Sequence, residues 1–177
     1  MKNNLLKLLA LFMAIFTFSA CENVEDLAGE MDITIGKETF HIPAALFYSN
    51  ENNTFITATN VKQSVAIKVK DAAIGKKTLG LGKNVLEAVG NIDNFSSMEN
   101  TLVYIPTSGI EEDGMTALYG TITLTKVTST WVEGTFEGGG VKTSLLNDIS
   151  GLSSILDAPE LIEEFSGEFK AYGLTTK

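Results

Sequence analysis

The chain has no arginine, and only one cysteine, one histidine and one tryptophan in 177 residues. Each scarcity closes off a class of chemistry. Without arginine there is no guanidinium fork for bidentate phosphate recognition, and a formal charge of −9 repels a nucleic-acid backbone. A lone cysteine supports neither an intramolecular disulfide nor a thiolate metal site. A lone histidine rules out the H-E-x-x-H zinc motif. A Ser-His-Asp triad would have to use His41, and no G-x-S-x-G elbow nominates its serine. Long apolar runs are scarce as well. The one candidate, Leu8 to Phe18, is too short to cross a bilayer, which takes about 20 residues as a helix.

That short run is the most informative stretch of the chain. Lys2 and Lys7 precede it, and the small residues Ser19 and Ala20 follow, directly before Cys21. A basic start, an apolar segment and a small-residue cleavage site make a secretory signal peptide. The ending Phe18-Ser19-Ala20-Cys21 resembles the bacterial lipoprotein signal, with Phe18 where leucine is usual. The resemblance implies that the Cys21 thiol receives diacylglycerol and becomes the new N-terminus. One acyl chain holds a protein only marginally, whereas two or more hold it firmly. The expectation is a protein anchored to a membrane through Cys21 and not spanning one.

Three segments follow: a signal peptide over 1–20, a lipidated cysteine with an acidic tether over 21–30, and one domain over 31–177. Removing 1–20 leaves 157 residues, enough to hold a core without disulfide or metal. It also takes the basic count from 13 to 11 against 22 acids. The tether (ENVEDLAGE) spans at most about 30 Å when extended, which keeps the domain near the membrane. Acid just after the cysteine also resembles a surface-export signal. The expected location is the outer membrane, with surface display favoured over the periplasmic leaflet.

From Met31 the hydrophobic period is two. Met31, Ile33 and Ile35 alternate with polar neighbours, and Gly36-Lys37 offers a two-residue type II′ turn into Thr39 to Phe47. Pro43 in that strand marks an edge, an end or a bulge. Further strands are expected at Thr54 to Asn60, Ser64 to Lys70, Thr101 to Pro106, Thr116 to Lys126, Trp131 to Glu137 and Glu164 to Tyr172. Asn84 to Gly90 is ambiguous between helix and strand. Gly138-Gly139-Gly140 is expected to end a strand as a flexible link. Leu145, Ile149, Leu152 and Leu156 then fall on one face of a helix, giving a helical insertion near 141–158. The fold expected is mainly β: an antiparallel β-sandwich with one inserted helical segment, or alternatively a partly closed up-and-down β-barrel.

Four segments carry a family resemblance: Gly36-Lys-Glu-Thr-Phe40, Gly75-Lys-Lys-Thr-Leu-Gly80, Gly120-Thr-Ile-Thr-Leu-Thr125 and Val132-Glu-Gly-Thr-Phe-Glu137. With the closing Gly167 and Phe169, they are similar to a Bacteroidota lipoprotein domain family of unknown function. The similarity covers most of Met31 to Tyr172, with Gly138 to Leu156 as an insertion. It implies a compact β-rich domain behind a lipid anchor, and it brings no catalytic residue.

Sites for chemistry are few. His41, between Phe40 and Ile42, is expected to face away from the buried side. GGGVKT at Gly138 to Thr143 lacks the glycine that a phosphate loop needs before its lysine. Ser49 to Asn53 and Glu111 to Gly114 supply oxygen ligands but not the spacing of a calcium loop. Glu163 and Glu164 point to opposite faces of a strand and so make a poor carboxylate pair. Trp131, Tyr119 and Tyr104 would form a sugar-stacking platform only if they shared an outer face, and core packing is the default for them. The resulting expectation is a non-enzymatic envelope lipoprotein without catalytic, metal or cofactor residues, binding a protein or glycan partner and no nucleic acid. The alternative is an accessory subunit of an outer-membrane assembly.

Overall fold

A computed structural model of the chain describes residues 29–91, 98–106, 114–147, 155 and 158–174. Cys21, its signal and nearly all of the tether lie outside these residues. Nine strands follow one another: β1 Gly29–Ile35, β2 Glu38–Asn50, β3 Asn53–Thr59, β4 Gln63–Lys70, β5 Gly75–Gly80, β6 Thr101–Pro106, β7 Met115–Val127, β8 Trp131–Lys142 and β9 Glu163–Gly173. A short helix, α1 (Val85–Gly90), sits between β5 and β6. The ambiguous segment is therefore helical.

The sheet closes on itself. Eight strands run in the order β7-β6-β4-β3-β2-β1-β9-β8 and return to β7. The expected sandwich is thus replaced by its alternative, and the barrel is closed. The closure is made by β7 and β8, which pair from Met115 and Lys142 to Val127 and Val132 and so leave neither as a free sheet edge. A sandwich would need a gap in that ring.

Local chemistry fixes the hairpins as expected. Gly36 has φ +58 between β1 and β2, and Lys37 keeps a negative φ, as a type II′ turn requires. Pro43 lies at a bulge, because Gly29 pairs with Ala45 while Met31 pairs with Ile42. The missing proline N–H falls where the ladder is already broken.

At one seam the ladder is incomplete. β6 pairs with β7 through Val103 and Tyr104 only, and β5 takes up the remaining stretch of that edge of β7. Asn100, buried, bridges the join. Its side chain accepts the Lys70 N–H at 2.9 Å and donates to the Thr78 carbonyl at 2.8 Å, while its own carbonyl accepts the Gly80 N–H at 3.0 Å. One side chain therefore stands in for the strand that is not there.

The interior is filled by side chains, as eight-stranded barrels permit. Met31, Ile33, Ile42, Ile56, Val65, Ile67, Leu102, Ile122, Leu124, Phe136, Phe165 and Phe169 belong to one buried cluster. On β8 and β9, glycine and phenylalanine face each other in register: Gly134 with Phe169, Phe136 with Gly167, Gly138 with Phe165. A Cβ at Gly167 would overlap the Phe136 ring, and one at Gly138 the Phe165 ring. Each ring lies over the glycine of the neighbouring strand.

The three consecutive glycines do not end β8. The strand runs through them to Lys142, with Gly138, Gly139 and Gly140 paired to both β7 and β9. The expected flexible link is overturned, and the reason is spatial. Tyr119 covers Gly139 and Met115 covers Gly140, so neighbouring side chains supply the bulk the glycines lack. Of the helical insertion expected near 141–158, Ile155 is helical and the rest of 148–157 lies outside the described residues. Val141 and Lys142 belong to β8, Thr143–Asn147 is a single 3₁₀ turn, and another follows at Pro159–Leu161. Ile149, Leu152 and Leu156 lie outside the described residues. Ile155 joins Ala88, Leu118 and Val141 in a small apolar cluster on the outer wall, with Leu145 and Leu146 against it.

Candidate binding face

Because every second residue of a strand faces out, pairing registers define rows across the outer wall. One row reads His41, Asp32, Glu168, Thr135, Thr123, Lys76 across β2, β1, β9, β8, β7 and β5. The next row reads Thr39, Thr34, Ser166, Glu137, Thr121, Thr78 across the same strands. Two adjoining depressions of about 440 and 640 Å³ lie along these rows, sharing Thr34, Thr121, Glu137 and Ser166. Short side chains make the floor. Glu168, Lys76, Lys83 and Tyr119 stand at the margins.

The electrostatics of neighbouring rows differ. One step toward the β9 C-terminus, Glu30, Lys170, Glu133 and Lys126 alternate in sign, and Lys126 Nζ meets Glu133 Oε1 at 2.9 Å. In the His41 row, Asp32 and Glu168 are direct cross-strand partners with no base between them. Asp32 is held by His41, whose Nδ1 lies 2.8 Å from Oδ1. Glu137 accepts a hydrogen bond from the Thr121 hydroxyl at 3.4 Å. The trough is therefore a ladder of hydroxyls and carboxylates with an excess of acid.

At the upper rim the Tyr119 hydroxyl donates to Glu164 Oε1 at 2.8 Å. Partial burial, reinforced by that carboxylate, pushes the phenol up to about 12. The ring is thereby kept neutral and laid flat across β8.

The residues singled out in the sequence are only partly brought together. His41 faces outward as expected, with its side chain 56% exposed. It stands beside Asp32 at the end of the trough, and among the described residues no hydroxyl or thiol is bonded to it. The three aromatics do not form a platform. Tyr104 is stacked on Phe40 against the core. Tyr119 and Trp131 share the outer face but lie at opposite ends of β8, roughly 26 Å apart at about 3.3 Å per residue. Trp131 is already occupied by the edge of Tyr172 and by Lys170 Nζ, 4.7 Å from its ring centre. Among the described residues no group of three or more His, Cys, Asp or Glu could hold a metal. Glu111 to Asp113 lie outside those residues, as does Cys21.

The trough itself was hidden in the sequence. Asp32, Thr34, Ser166, Glu168, Thr135, Glu137, Thr121 and Thr123 come from four strands that are distant in the chain. Only the outward set of each strand was legible, and rows exist only once registers are fixed. Comparison of the chain with protein-family models, with curated proteins and with solved structures returns no match.

Proposed function

We propose that the protein is a non-enzymatic, membrane-anchored binding module of the cell envelope. It is held through a lipidated Cys21 and recognises its partner on the outer wall of the barrel. The observation that carries this reading is the interior: among the described residues the inward side chains form one buried apolar cluster, with rings nested on glycines, so recognition falls to the wall. There the trough over β1, β9, β8, β7 and β5 offers unneutralised polar groups. Charged rows on this face also differ from the apolar outward band of a barrel that crosses lipid. Gly29, the first described residue, opens β1 at the end of the barrel that also holds Gly173, so a tether from Cys21 would attach at that end.

The anchoring half of the reading is tested by fractionating cells that express the wild type or Cys21→Ala, with protease shaving of intact cells. Wild type is expected in the membrane fraction, and Cys21→Ala in the soluble fraction. A Cys21→Ala protein that stays in the membrane overturns the lipid anchor.

A second reading, an accessory subunit of an outer-membrane assembly, is favoured by the opposite wall. There Tyr48 stacks on Phe55 with ring centres 4.9 Å apart, and Leu46 and Val103 lie half-buried nearby. A subunit would bury this face against a fixed partner, and crosslinking from Phe55 in intact envelopes would retrieve the same partner every time.

A further inference from the structure

We propose that the trough takes an extended glycan without acidic groups, lying across the strands so that successive sugars sit over successive strands. The inference rests on the binding-module reading and adds the class and orientation of the ligand. Neighbouring strands are about 4.8 Å apart, so each row offers a polar side chain at that interval. That repeat is of the order of one pyranose in an extended chain. From β1 to β5 the rows cover four such steps, about 19 Å, enough for four or five sugars. An extended peptide repeats at about 3.4 Å per residue and turns a side chain to the same face only about every 6.8 Å, and neither interval matches the rows.

The chemistry agrees with the spacing. Thr123, Thr135 and Ser166 carry hydroxyls that both donate and accept, while Glu168 and Glu137 accept from sugar hydroxyls. Asp32 beside Glu168, with Lys76 only at the far end of the row, repels uronates, sulfated sugars and phosphates. Neutral or amine-bearing sugars complement that charge. Tyr119, pinned by Glu164, offers a ring at the rim. The floor has no free aromatic plane, so single-site affinity is low and dense display on a membrane supplies the avidity.

The test is saturation-transfer NMR on the full chain in detergent micelles, with three soluble hexasaccharides: glucosamine, N-acetylglucosamine and galacturonate. The first two are expected to bind and the third is not. Thr123→Val with Thr135→Val keeps shape and β propensity at one half-buried and one exposed position, and is expected to weaken binding tenfold or more. Equal binding of the uronate, unchanged binding by the double variant, or no binding of any of the three overturns the proposal. A photo-crosslinker at Ser166 in intact envelopes separates the two levels of the argument. If it captures a protein and no oligosaccharide binds, the glycan is wrong and the binding module stands. If it captures nothing and nothing binds, both fall.

Discussion

Along β3 and β4 the barrel interior is lined by Ile56, Ala58, Val65, Ile67 and Val69, each filling the space above its own strand. Along β8 and β9 it is lined by Gly134, Phe136, Gly138, Phe165, Gly167 and Phe169, where each ring fills the space above its neighbour's glycine. Both halves are buried, but they depend on register differently. In the aliphatic half a side chain carries its own volume, and a neighbour can be exchanged for one of similar size. In the nested half a ring has room only if the facing residue is glycine, so packing and register are one constraint. The outer rows of the polar trough run through the nested half, and their alignment is set by the same registers.

The largest expected effect breaks the nested half at a ring. Phe169→Ala should cost about 3–5 kcal/mol, whereas Ile56→Val in the aliphatic half should cost about 0.5–1.5 kcal/mol. Denaturant unfolding of both variants measures the difference. Equal losses would mean that the nested rings are no more tightly held than the aliphatic layer. Approached from the other side, Gly167→Ala drives a methyl into the Phe136 ring and the Asp32 carbonyl. Overpacking of this kind costs about 1–3 kcal/mol. A Gly167→Ala protein as stable as the wild type would show that the facing glycine is dispensable.

The seam sharpens the comparison, because there neither kind of packing closes the wall. Asn100→Ala leaves the Lys70 N–H, the Thr78 carbonyl and a small void unsatisfied, for about 1–3 kcal/mol. Amide exchange should accelerate at Lys70 and Gly80 before it does along β8. Uniform acceleration would mean that the seam is not where the barrel opens.

How much of this the sequence disclosed follows the same division. The aliphatic half was plain: Val65, Ile67 and Val69 alternate with Ala66, Lys68 and Lys70, and strand β4 lies there. The Gly36-Lys37 turn was local chemistry and is present, and of the edge, end or bulge that Pro43 signalled, the bulge is the one found. In the nested half nothing local to Val132-Glu-Gly-Thr-Phe says that the Phe169 ring lies over Gly134. Gly138-Gly139-Gly140 misled, because the bulk that keeps it a strand arrives from Tyr119 and Met115, distant in the chain. Closure was equally out of reach, since nothing local to β7 says that it pairs on both edges or that Asn100 completes the ring. His41 was placed on the outer face by alternation alone, and its partner Asp32 required the β1–β2 register.

The smallest effect lies at the rim of the trough, where Tyr119 lies across β8. Burial and Glu164 raise its phenol from 10.0 to about 12, so the folded state favours the neutral form. A raised pKa contributes stability that is fully present below pH 10 and is lost as pH climbs toward about 12. Tyr119→Phe removes the ionisable group and one partly exposed hydrogen bond, worth roughly 0.5 kcal/mol at neutral pH. Its unfolding midpoint should therefore fall less than that of the wild type between pH 10 and pH 12. Tyr48 and Tyr104, also raised by burial, titrate in both proteins and cancel from the difference. Parallel curves for the two proteins would mean that Tyr119 ionises without cost to the fold, and that its bond to Glu164 does not hold the ring over the glycines of β8.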